Sequence, residues 1–342
     1  MPNTRPDTPF VDGVCSACLS YERRPLIDWD ARKQALVDLL DRHHGEVLVP
    51  SSGGKDSTYQ VLTLLEMGAD VTIVTARTCH LTPIGRANID NLARYARTIE
   101  VVPNMTVRAK LNRLGLELVG DISWPEHAAI FSTPFIVASD TGHTLLMYGE
   151  NPQDQYGGPP GSEDAMLMTR RWVTEFGGFL GLRPFDFVDM EGITQRQMEE
   201  YQPPTVPGLE AHFLGQYIPW DSHKNAEVAA AAGMRQELPC TANWWCAENL
   251  DNAQTGLHDH FMYLKYGFGR GCQQISVDVR AGLTPRAFAL DWVKTFDGQF
   301  PEYYAGVPVD ETLDRIGVSR ERLGVLMERF RASQTHNSVH VS

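Results

Sequence analysis

The stretch VLVPSSGGKDSTYQ, residues 47–60, constrains the fold of this chain more than any other feature of its sequence. An apolar run breaks there into two serines and two glycines, followed by a lysine, an aspartate and a helix-like segment. A strand, a glycine turn and a helix together expose backbone N–H groups beside the positive end of the helix dipole. The stretch therefore predicts an anion site at the end of a strand, with phosphate as its natural ligand.

Short apolar runs alternate with helix-like segments from residue 46 to residue 151. The predicted strands are Val47–Val49, Val71–Thr75, Ile99–Val102 and Leu145–Tyr148. The predicted helices are Thr58–Met67, Arg86–Arg97, Val107–Leu118 and a further segment near Ala128–Ser139. This alternation is typical of an α/β fold with a doubly wound parallel sheet, whose ligands sit beyond the carboxyl ends of the strands. The glycine turn lies at such an end.

The pattern changes after Arg183, where the segment EEYQPPTVPGLE leads into a series of helical segments. These helices are predicted at His223–Ala232, His258–Tyr266, Pro285–Phe296 and Arg320–Phe330. A length of 342 residues also suits more than one domain. We expect a cysteine-containing segment over residues 1–30, an α/β domain over residues 31–190 and a mostly helical substrate or partner domain over residues 191–342.

Charge and apolar patterning exclude several classes of partner. The chain carries 43 acidic and 30 basic residues, a formal net charge of −13, which leaves no broad basic surface for nucleic acid or anionic lipid. It has no uninterrupted apolar stretch of about 18 residues, and its start lacks the layout of a signal peptide. Six cysteines are too few for a disulfide scaffold. We expect a cytoplasmic protein with no nucleic-acid or membrane partner.

Two common phosphate-binding motifs do not fit the glycine turn. The Walker A pattern needs a glycine where Val49 stands and a hydroxyl where Asp56 stands, which excludes an ordinary kinase or GTPase loop. A dinucleotide fingerprint needs three spaced glycines, but only the adjacent pair Gly53 and Gly54 is present. A plain turn, capped by Asp56 or Ser57 at a helix start, is the alternative without a ligand.

The run Ser52–Ser57 resembles S-G-G-x-D-S, the pyrophosphate-binding loop of the PP-loop ATP pyrophosphatases, which cut ATP between the α and β phosphates. The turn amides and serine hydroxyls can hold the leaving pyrophosphate, Lys55 can neutralise charge, and Asp56 can hold Mg²⁺. We expect ATP and Mg²⁺ as cofactors, and a PP-loop (adenine nucleotide alpha hydrolase-like) fold for the ATP-binding domain. The predicted catalytic pair is Lys55 and Asp56, and the cofactor-binding set is Ser52, Gly53, Gly54, Lys55, Asp56, Ser57, Thr75 and Arg77.

Five stretches taken together resemble the N-acetyl sugar amidotransferase family of bacterial surface-polysaccharide pathways. They are MPNTRPDTPFVDGVCSAC, SSGGKDSTYQ, GENPQDQYGG, YIPWDSHKNAEVA and HDHFMYLKYGFGRGCQQISVDVRAG, and they span nearly the whole chain. The resemblance implies that the acetamido oxygen of a nucleotide-linked N-acetyl sugar is adenylated, with release of pyrophosphate. Ammonia then displaces AMP to give an acetamidino sugar. The alternatives are a thiolase or sulfurtransferase acting on a nucleobase or tRNA, and a non-catalytic nucleotide-binding scaffold.

Two segments supply candidate substrate ligands. GENPQDQYGGPPG follows a predicted strand and so should lie at the same sheet edge as the glycine turn, although an ordinary surface turn is the alternative. The arginine pair in MTRRWVTEFGG could grip a nucleotide diphosphate, or could simply be exposed. The predicted substrate-binding residues are Glu150, Asn151, Gln155, Tyr156, Arg170 and Arg171.

The cysteine pair Cys15 and Cys18 has the spacing of metal ligands. Similar proteins commonly carry a second CxxC just ahead of the M-P-x-T-R-P segment, and this sequence begins at that methionine. A structural zinc site needs four ligands, so two cysteines alone are inadequate. Three alternatives follow: the start codon was assigned too late, Cys240 and Cys246 complete the zinc site, or no metal binds.

His258-Asp259-His260 also invites a metal-site interpretation. Residues two apart do not face the same side of a helix, so a hydrogen bond from one histidine to the core or to substrate is favoured.

The sequence context of the cysteines bears on the source of the ammonia, because release of ammonia from glutamine needs a cysteine nucleophile. A glutaminase needs a cysteine at the mature N-terminus, or one on a glycine-flanked strand-to-helix turn. Position 2 is Pro2, and the cysteines outside the CxxC pair lack flanking glycines on both sides: Cys79, Cys240, Cys246 and Cys272. We therefore expect a separate glutaminase subunit to supply the ammonia.

Overall fold

The computed structural model describes residues 1–158, 166–169, 171–173 and 177–331. The strands in this part of the chain are β1 (Phe10–Val11), β2 (Val14–Cys15), β3 (Glu46–Pro50), β4 (Asp70–Ala76), β5 (Arg97–Val101), β6 (Leu145–Tyr148), β7 (Glu210–Phe213), β8 (Tyr303–Tyr304) and β9 (Val307–Pro308). The α-helices with defined ends are α1 (Ser16–Arg23), α2 (Trp29–Arg42), α3 (Lys55–Glu66), α4 (Pro83–Leu92), α5 (Met105–Val119), α6 (Trp124–Thr141), α7 (Pro152–Tyr156), α8 (Gln195–Glu199), α9 (Ser222–Ala231), α10 (Thr255–Tyr266), α11 (Arg270–Arg280), α12 (Arg286–Phe296), α13 (Val309–Ile316) and α14 (Arg320–Arg331).

Five of the strands form one parallel sheet with the order β5-β4-β3-β6-β7. From the central β3 the chain adds β4 and β5 on one side, then β6 and β7 on the other. The strand order therefore reverses between β3 and β6, and ligands of doubly wound sheets bind outside the strand ends at such a reversal. The predicted α/β fold with a doubly wound parallel sheet is confirmed.

The central strand shows why these residues form a sheet that is covered on both faces. Val47, Leu48 and Val49 are each 0% exposed. Leu48 packs into one apolar cluster with Leu111 and other residues, while Val47 and Val49 pack into a second cluster that includes Leu64. Alternate side chains of a strand point to opposite faces, so a continuous apolar run is buried only when helices cover both faces.

The C-terminal helices pack directly on this α/β unit. A third apolar cluster joins Leu116 of α5 and Ile122 to Phe261 of α10, Leu313 of α13 and Phe330 of α14. Every helix in the described residues lacks either the length or the apolar character that a membrane span requires.

The four predicted strands are present as β3, β4, β5 and β6. Several predicted helices have different ends in the structure, and two of them show the physical reason. The helix predicted from Thr58 begins earlier, at Lys55, because Gly54 is its N-cap in extended conformation. The helix predicted to end at Arg97 stops at Leu92, since Arg97 already begins β5 and the intervening residues form a turn.

The fifth strand was not predicted. β7 pairs with β6 in parallel, with Leu145 opposite Glu210 and Tyr148 opposite Phe213. It is only four residues long and follows a proline-rich segment, so its local pattern is weak. The region after residue 190 thus contributes a strand to the sheet as well as helices, although the domain division at residues 30 and 190 stays a prediction.

Candidate functional site

The glycine turn leaves the carboxyl end of β3 and enters α3. The backbone N–H of Ser51 donates to the carbonyl of Val74 at 2.9 Å, which extends the β3–β4 pairing by one residue. The Ser51 hydroxyl then accepts from the N–H of Gly53 at 2.9 Å and donates to Ser57 Oγ at 2.8 Å. These bonds hold the turn against the first turn of α3. Ser51 was not among the predicted site residues, although it is a polar residue adjoining the motif.

Gly53 cannot be replaced without disturbing a neighbouring helix. Its φ is +76°, in the left-handed region that favours glycine. A Cβ atom built at this position would lie 2.7 Å from the backbone N of Ile89 and 2.8 Å from the carbonyl carbon of Asn88. The turn is therefore in backbone contact with α4, and only a glycine allows that approach.

We expect Gly53→Ala to destabilise the protein clearly more than Gly208→Ala. Gly208 also has a positive φ, +78°, but a Cβ there would meet nothing within 4 Å. The control should cost about 1–2 kcal/mol, the strain of an L-residue in the left-handed region. Gly53→Ala carries that strain and a backbone clash as well. Urea unfolding of both variants measures the difference, and equal losses would contradict the close approach to α4.

A cavity of about 260 Å³ opens beside this turn. Its walls come from residues 50–57, from the ends of β4 and β6, from helices α5 and α6, and from the segment 247–251. Among the described residues, the lining has two basic side chains, Lys55 and Arg108. It has five acidic ones: Asp56, Glu126, Glu150, Glu248 and Asp251. An anionic ligand entering this acid-rich cavity needs a compensating cation.

Lys55 lies at the centre of these charges and is 3% exposed. Its Nζ forms an ion pair with Asp56 Oδ2, lies 3.8 Å from Glu248 Oε1, and sits 5.6 Å from the centroid of the Trp245 ring. Burial lowers the pKa of Lys55, but the carboxylates of Asp56, Glu248 and Glu150 outweigh burial and raise it overall. The ammonium therefore stays charged.

Two of the carboxylates beside Lys55 each accept a hydrogen bond from a different side-chain amide. Asp56 Oδ1 accepts from Asn225 Nδ2 at 2.8 Å, and Glu248 Oε2 accepts from Gln274 Nε2 at 2.6 Å. Burial, followed by repulsion from Asp56, raises the pKa of Glu150 to about 7. Glu150 therefore exchanges a proton near neutral pH.

A buried ion pair lies at the far wall of the cavity. Arg108 NH1 is 3.1 Å from Glu126 Oε1, and the two side chains are 3% and 6% exposed. Glu126 Oε2 also accepts from Asn112 Nδ2 at 2.6 Å and from Gln254 Nε2 at 2.7 Å. This pair was not predicted from the sequence. The available signal was a basic residue beside Val107 on the buried face of an amphipathic helix.

The predicted cofactor-binding residues divide into two groups. Among the described residues the cavity lining includes Ser52, Gly54, Lys55, Asp56 and Ser57, with Gly53 between them in the turn.

The other two predicted cofactor residues, Thr75 and Arg77, do not line this cavity. Thr75 is buried inside β4, because its position in the strand points it into the protein. Arg77 lines a neighbouring cavity of about 290 Å³ and lies 3.9 Å from Glu100 Oε1.

The predicted substrate residues are also divided. Glu150 lines the cavity, whereas Asn151, Gln155 and Tyr156 lie outside its lining. Asn151 caps α7, Gln155 Nε2 donates to Ser222 Oγ at 2.9 Å, and Tyr156 OH donates to Glu248 Oε1 at 3.4 Å. These three residues face protein because the short helix α7 turns them away from the sheet edge.

One arginine of the predicted pair lies within the described residues. Arg171 is exposed and outside the cavity lining, and Arg170 lies outside the described residues.

The four cysteines proposed as zinc ligands do not come together. Cys15 and Cys18 share a hydrogen bond, through which the Cys18 thiol lowers the pKa of Cys15 to about 4. Cys240 instead bonds to Asn243 Oδ1 at 2.9 Å, and Cys246 is exposed. Within the described residues no three of these thiols lie within 4.8 Å of one another. Cys240 and Cys246 therefore do not complete a four-thiol site with Cys15 and Cys18.

The residues of the His258-Asp259-His260 run have three separate partners. His258 Nδ1 lies 2.8 Å from Asp121 Oδ1, Asp259 Oδ1 accepts from Arg270 NH2 at 3.0 Å, and His260 Nδ1 lies 3.0 Å from the carbonyl oxygen of Gly298. They do not share a ligand, as the helical spacing predicts.

Comparison with protein families gives one finding for this chain. Residues 241–340 match the model of a family described as "LPS biosynthesis protein WbpG-like, C-terminal domain". The match supports a polysaccharide-biosynthesis family. It covers less than a third of the 342 residues, and includes Glu248 and Asp251 of the cavity lining. A comparison with curated proteins finds no match.

Proposed function

We propose that this protein is an ATP-dependent, AMP-forming amidotransferase. It adenylates the acetamido oxygen of a nucleotide-linked N-acetyl sugar, releases pyrophosphate, and replaces the oxygen with ammonia to give an acetamidino sugar. The observation that carries the proposal is the SGGKDS turn at the strand-order reversal, with a buried charged lysine in its first helical turn. The match to a lipopolysaccharide biosynthesis family supports an enzyme with a sugar substrate.

The leaving pyrophosphate is the group that the turn is best suited to stabilise. Backbone N–H groups at the start of α3 and the Lys55 ammonium present positive charge to one end of the cavity. These donors are already in place before the reaction, so they stabilise developing negative charge without a cost of reorganisation. In a kinase-type loop, a serine or threonine hydroxyl at the position of Asp56 would bind Mg²⁺. The Asp56 carboxylate is a charged oxygen ligand for the same kind of metal.

Mg²⁺ fits the donor set of the cavity. Asp56 would hold it, with Glu248 as a further oxygen donor, since hard divalent cations prefer carboxylate oxygens. When bound, Mg²⁺ supplies the positive charge that lets a triphosphate enter a lining with five acidic and two basic side chains. Asn225 orients one oxygen of Asp56 and leaves the other beside Lys55.

Adenylation is needed because an amide carbonyl is a poor electrophile with a poor leaving group. After the oxygen carries AMP, ammonia adds to the carbon, loses a proton and expels AMP. Glu150, whose pKa is raised to about 7 by burial, is the cavity residue best placed to accept that proton near neutral pH. We assign it the role of general base.

A separate glutaminase subunit supplies the ammonia in this proposal. The buried thiols Cys79 and Cys272 have pKa values raised by burial, to about 11 and about 12, which disfavours the thiolate that a glutaminase needs.

The test is incubation of the purified chain with ATP, Mg²⁺ and a panel of UDP-N-acetyl sugars, with either ammonium or glutamine. Mass spectrometry should show exchange of oxygen for NH in one sugar, with AMP and pyrophosphate as products, in ammonium but not in glutamine alone. Production of ADP and phosphate would contradict a pyrophosphatase mechanism. Glutamine-dependent product from the isolated chain would contradict the separate subunit, and incorporation of sulfur from a sulfide donor would favour the thiolase.

A further inference from the structure

A cluster of two imidazoles and one carboxylate lies where α10 crosses the start of α6. Its members are Asp121, His127 and His258, and one candidate ligand atom from each lies within 4.8 Å of the other two. Asp121 precedes α6, while His127 and His258 lie in the first turns of α6 and α10. None of the three lines the cavity beside the glycine turn. The cluster is therefore separate from the proposed amidotransferase site.

The carboxylate of Asp121 lies between the two imidazoles. Oδ1 is 2.8 Å from His258 Nδ1, and Oδ2 is 3.4 Å from His127 Nδ1. The two rings are edge to face, with their centroids 5.1 Å apart. Asp121 is 3% exposed at its side chain, and its Oδ1 also accepts from the N–H of Ser123 at 2.8 Å. The carboxylate is thus fixed from the backbone while both histidines face it.

His127 has a ring nitrogen without a hydrogen bond. Its Nδ1 is buried and makes no hydrogen bond to any described residue, although it faces the Asp121 carboxylate. The 3.4 Å separation from Asp121 Oδ2 is an ion-pair distance and not a hydrogen bond, so the contact between the two groups is loose. The ring lies against Gly178, where a Cβ atom would be 2.9 Å from Nδ1, so a glycine at this position leaves the nitrogen room. The nitrogen and the carboxylate are therefore placed to share a ligand.

The donor chemistry identifies the class of that partner. Imidazole nitrogen with carboxylate oxygen is a ligand set for Zn²⁺ and related divalent transition metals, whereas Ca²⁺ and Mg²⁺ prefer oxygen ligands throughout. We propose that Asp121, His127 and His258 bind a divalent transition metal of the Zn²⁺ class, with one coordination position left open. If His258 binds through Nδ1, its Nε2 lies 4.0 Å from Asp259 Oδ1, beyond hydrogen-bond distance.

This metal would join the two parts of the chain. Asp121 and His127 belong to the α/β unit, while His258 belongs to the region that matches the lipopolysaccharide family. Gln254, about one helical turn before His258, donates to Glu126 of the cavity wall at 2.7 Å. The metal therefore acts as a cross-link that positions α10 against the cavity, independently of ATP.

The experiment uses the full chain with Cys15 and Cys18 both changed to serine, so that thiolate binding does not contribute. Zinc content after equilibrium dialysis and calorimetric titration with ZnCl₂ are measured for this protein and for His258→Gln, Asp121→Asn and His44→Asn made in it. His44 is an exposed histidine with a φ of +57°, a conformation that asparagine accepts. It is the matched control.

We expect the background protein and His44→Asn to bind one zinc ion, and His258→Gln and Asp121→Asn to bind it at least about tenfold more weakly. Zinc should raise the melting temperature of the first two proteins and leave that of His258→Gln unchanged. If Asp121→Asn does not fold, the partly exposed His258→Gln decides the question. Absence of zinc binding in the background protein, or equal binding by His258→Gln, would overturn the proposal and leave a hydrogen-bonded cluster.

Discussion

Changing Asp56 to Asn is expected to lower pyrophosphate release from ATP at least about a hundredfold while leaving the fold intact. The substitution keeps the shape of the side chain, so the 2.8 Å contact with Asn225 Nδ2 can persist. It removes the charge that would hold Mg²⁺ beside the phosphates. Lys55 keeps Glu248 at 3.8 Å and the Trp245 ring as neighbours, so its burial remains compensated. Pyrophosphate release and the circular dichroism spectrum are the two measurements.

The matched control is Asp221→Asn. Asp221 caps α9, the helix that carries Asn225, and it is exposed. Asparagine is an equally good N-cap, so this variant should release pyrophosphate at the unaltered rate. A wild-type rate in Asp56→Asn would remove Asp56 from the proposed mechanism, and a matching loss in Asp221→Asn would show that the assay reports general damage.

Replacing Arg108 by Met is expected to cost about 3 kcal/mol in the free energy of unfolding. The arginine and Glu126 form a pair with 3% and 6% exposed side chains, and removing one partner of such a pair leaves a buried charge without compensation. Tyr201 OH also loses the donor Arg108 Nε, now 3.0 Å away. The amides of Asn112 and Gln254 still bond to Glu126, which places the loss at the low end of the range for broken buried pairs. Urea unfolding midpoints measure it.

Arg322→Met provides the comparison at the surface. Arg322 NH2 is 3.0 Å from Glu117 Oε1, but the two side chains are 49% and 27% exposed. Solvent screening and side-chain entropy limit such a pair to about 0–1 kcal/mol. Equal losses in the two variants would mean that the Arg108–Glu126 pair is not the compensated buried charge that the structure indicates.

The strands that could be predicted are those whose signal is local. β3, β4 and β6 are apolar runs bounded by turn residues, and burial on both faces produces that pattern directly. β7 could not be predicted in this way, because Glu210 and His212 interrupt its apolar residues. It is a strand because β6 offers an open edge, and that edge exists only after the sheet has formed.

The same distinction applies to the site. The turn Ser52–Ser57 is contiguous, so its residue types and order indicate a glycine turn between a strand and a helix, as the structure has it. Its role as a phosphate loop stays a prediction. Glu248 and Asn225 reach Lys55 and Asp56 from segments far along the chain, and no spacing in the sequence relates them. Their positions depend on how α9 and the 247–251 segment pack on the sheet edge.

The histidine cluster gives a second example. Local spacing correctly separates His258 from His260, but it cannot show that His258 meets Asp121 and His127. Side chains that meet from separate segments of the chain have no sequence period, so the HDH run by itself does not predict this cluster. The zinc-site prediction shows the opposite error. Cys240 and Cys246 were grouped with Cys15 and Cys18 by residue type, and the fold does not bring three of these thiols together.

The late position of β7 in the chain has a consequence for synthesis on the ribosome. Residues leave the ribosome in order, so β6 emerges with all four of its residues destined for burial and with one edge unpaired. That edge stays open until Glu210–Phe213 has also emerged. An unpaired apolar edge is a template for association with other chains. The interval between these two strands is therefore the part of synthesis in which the sheet carries this unpaired edge.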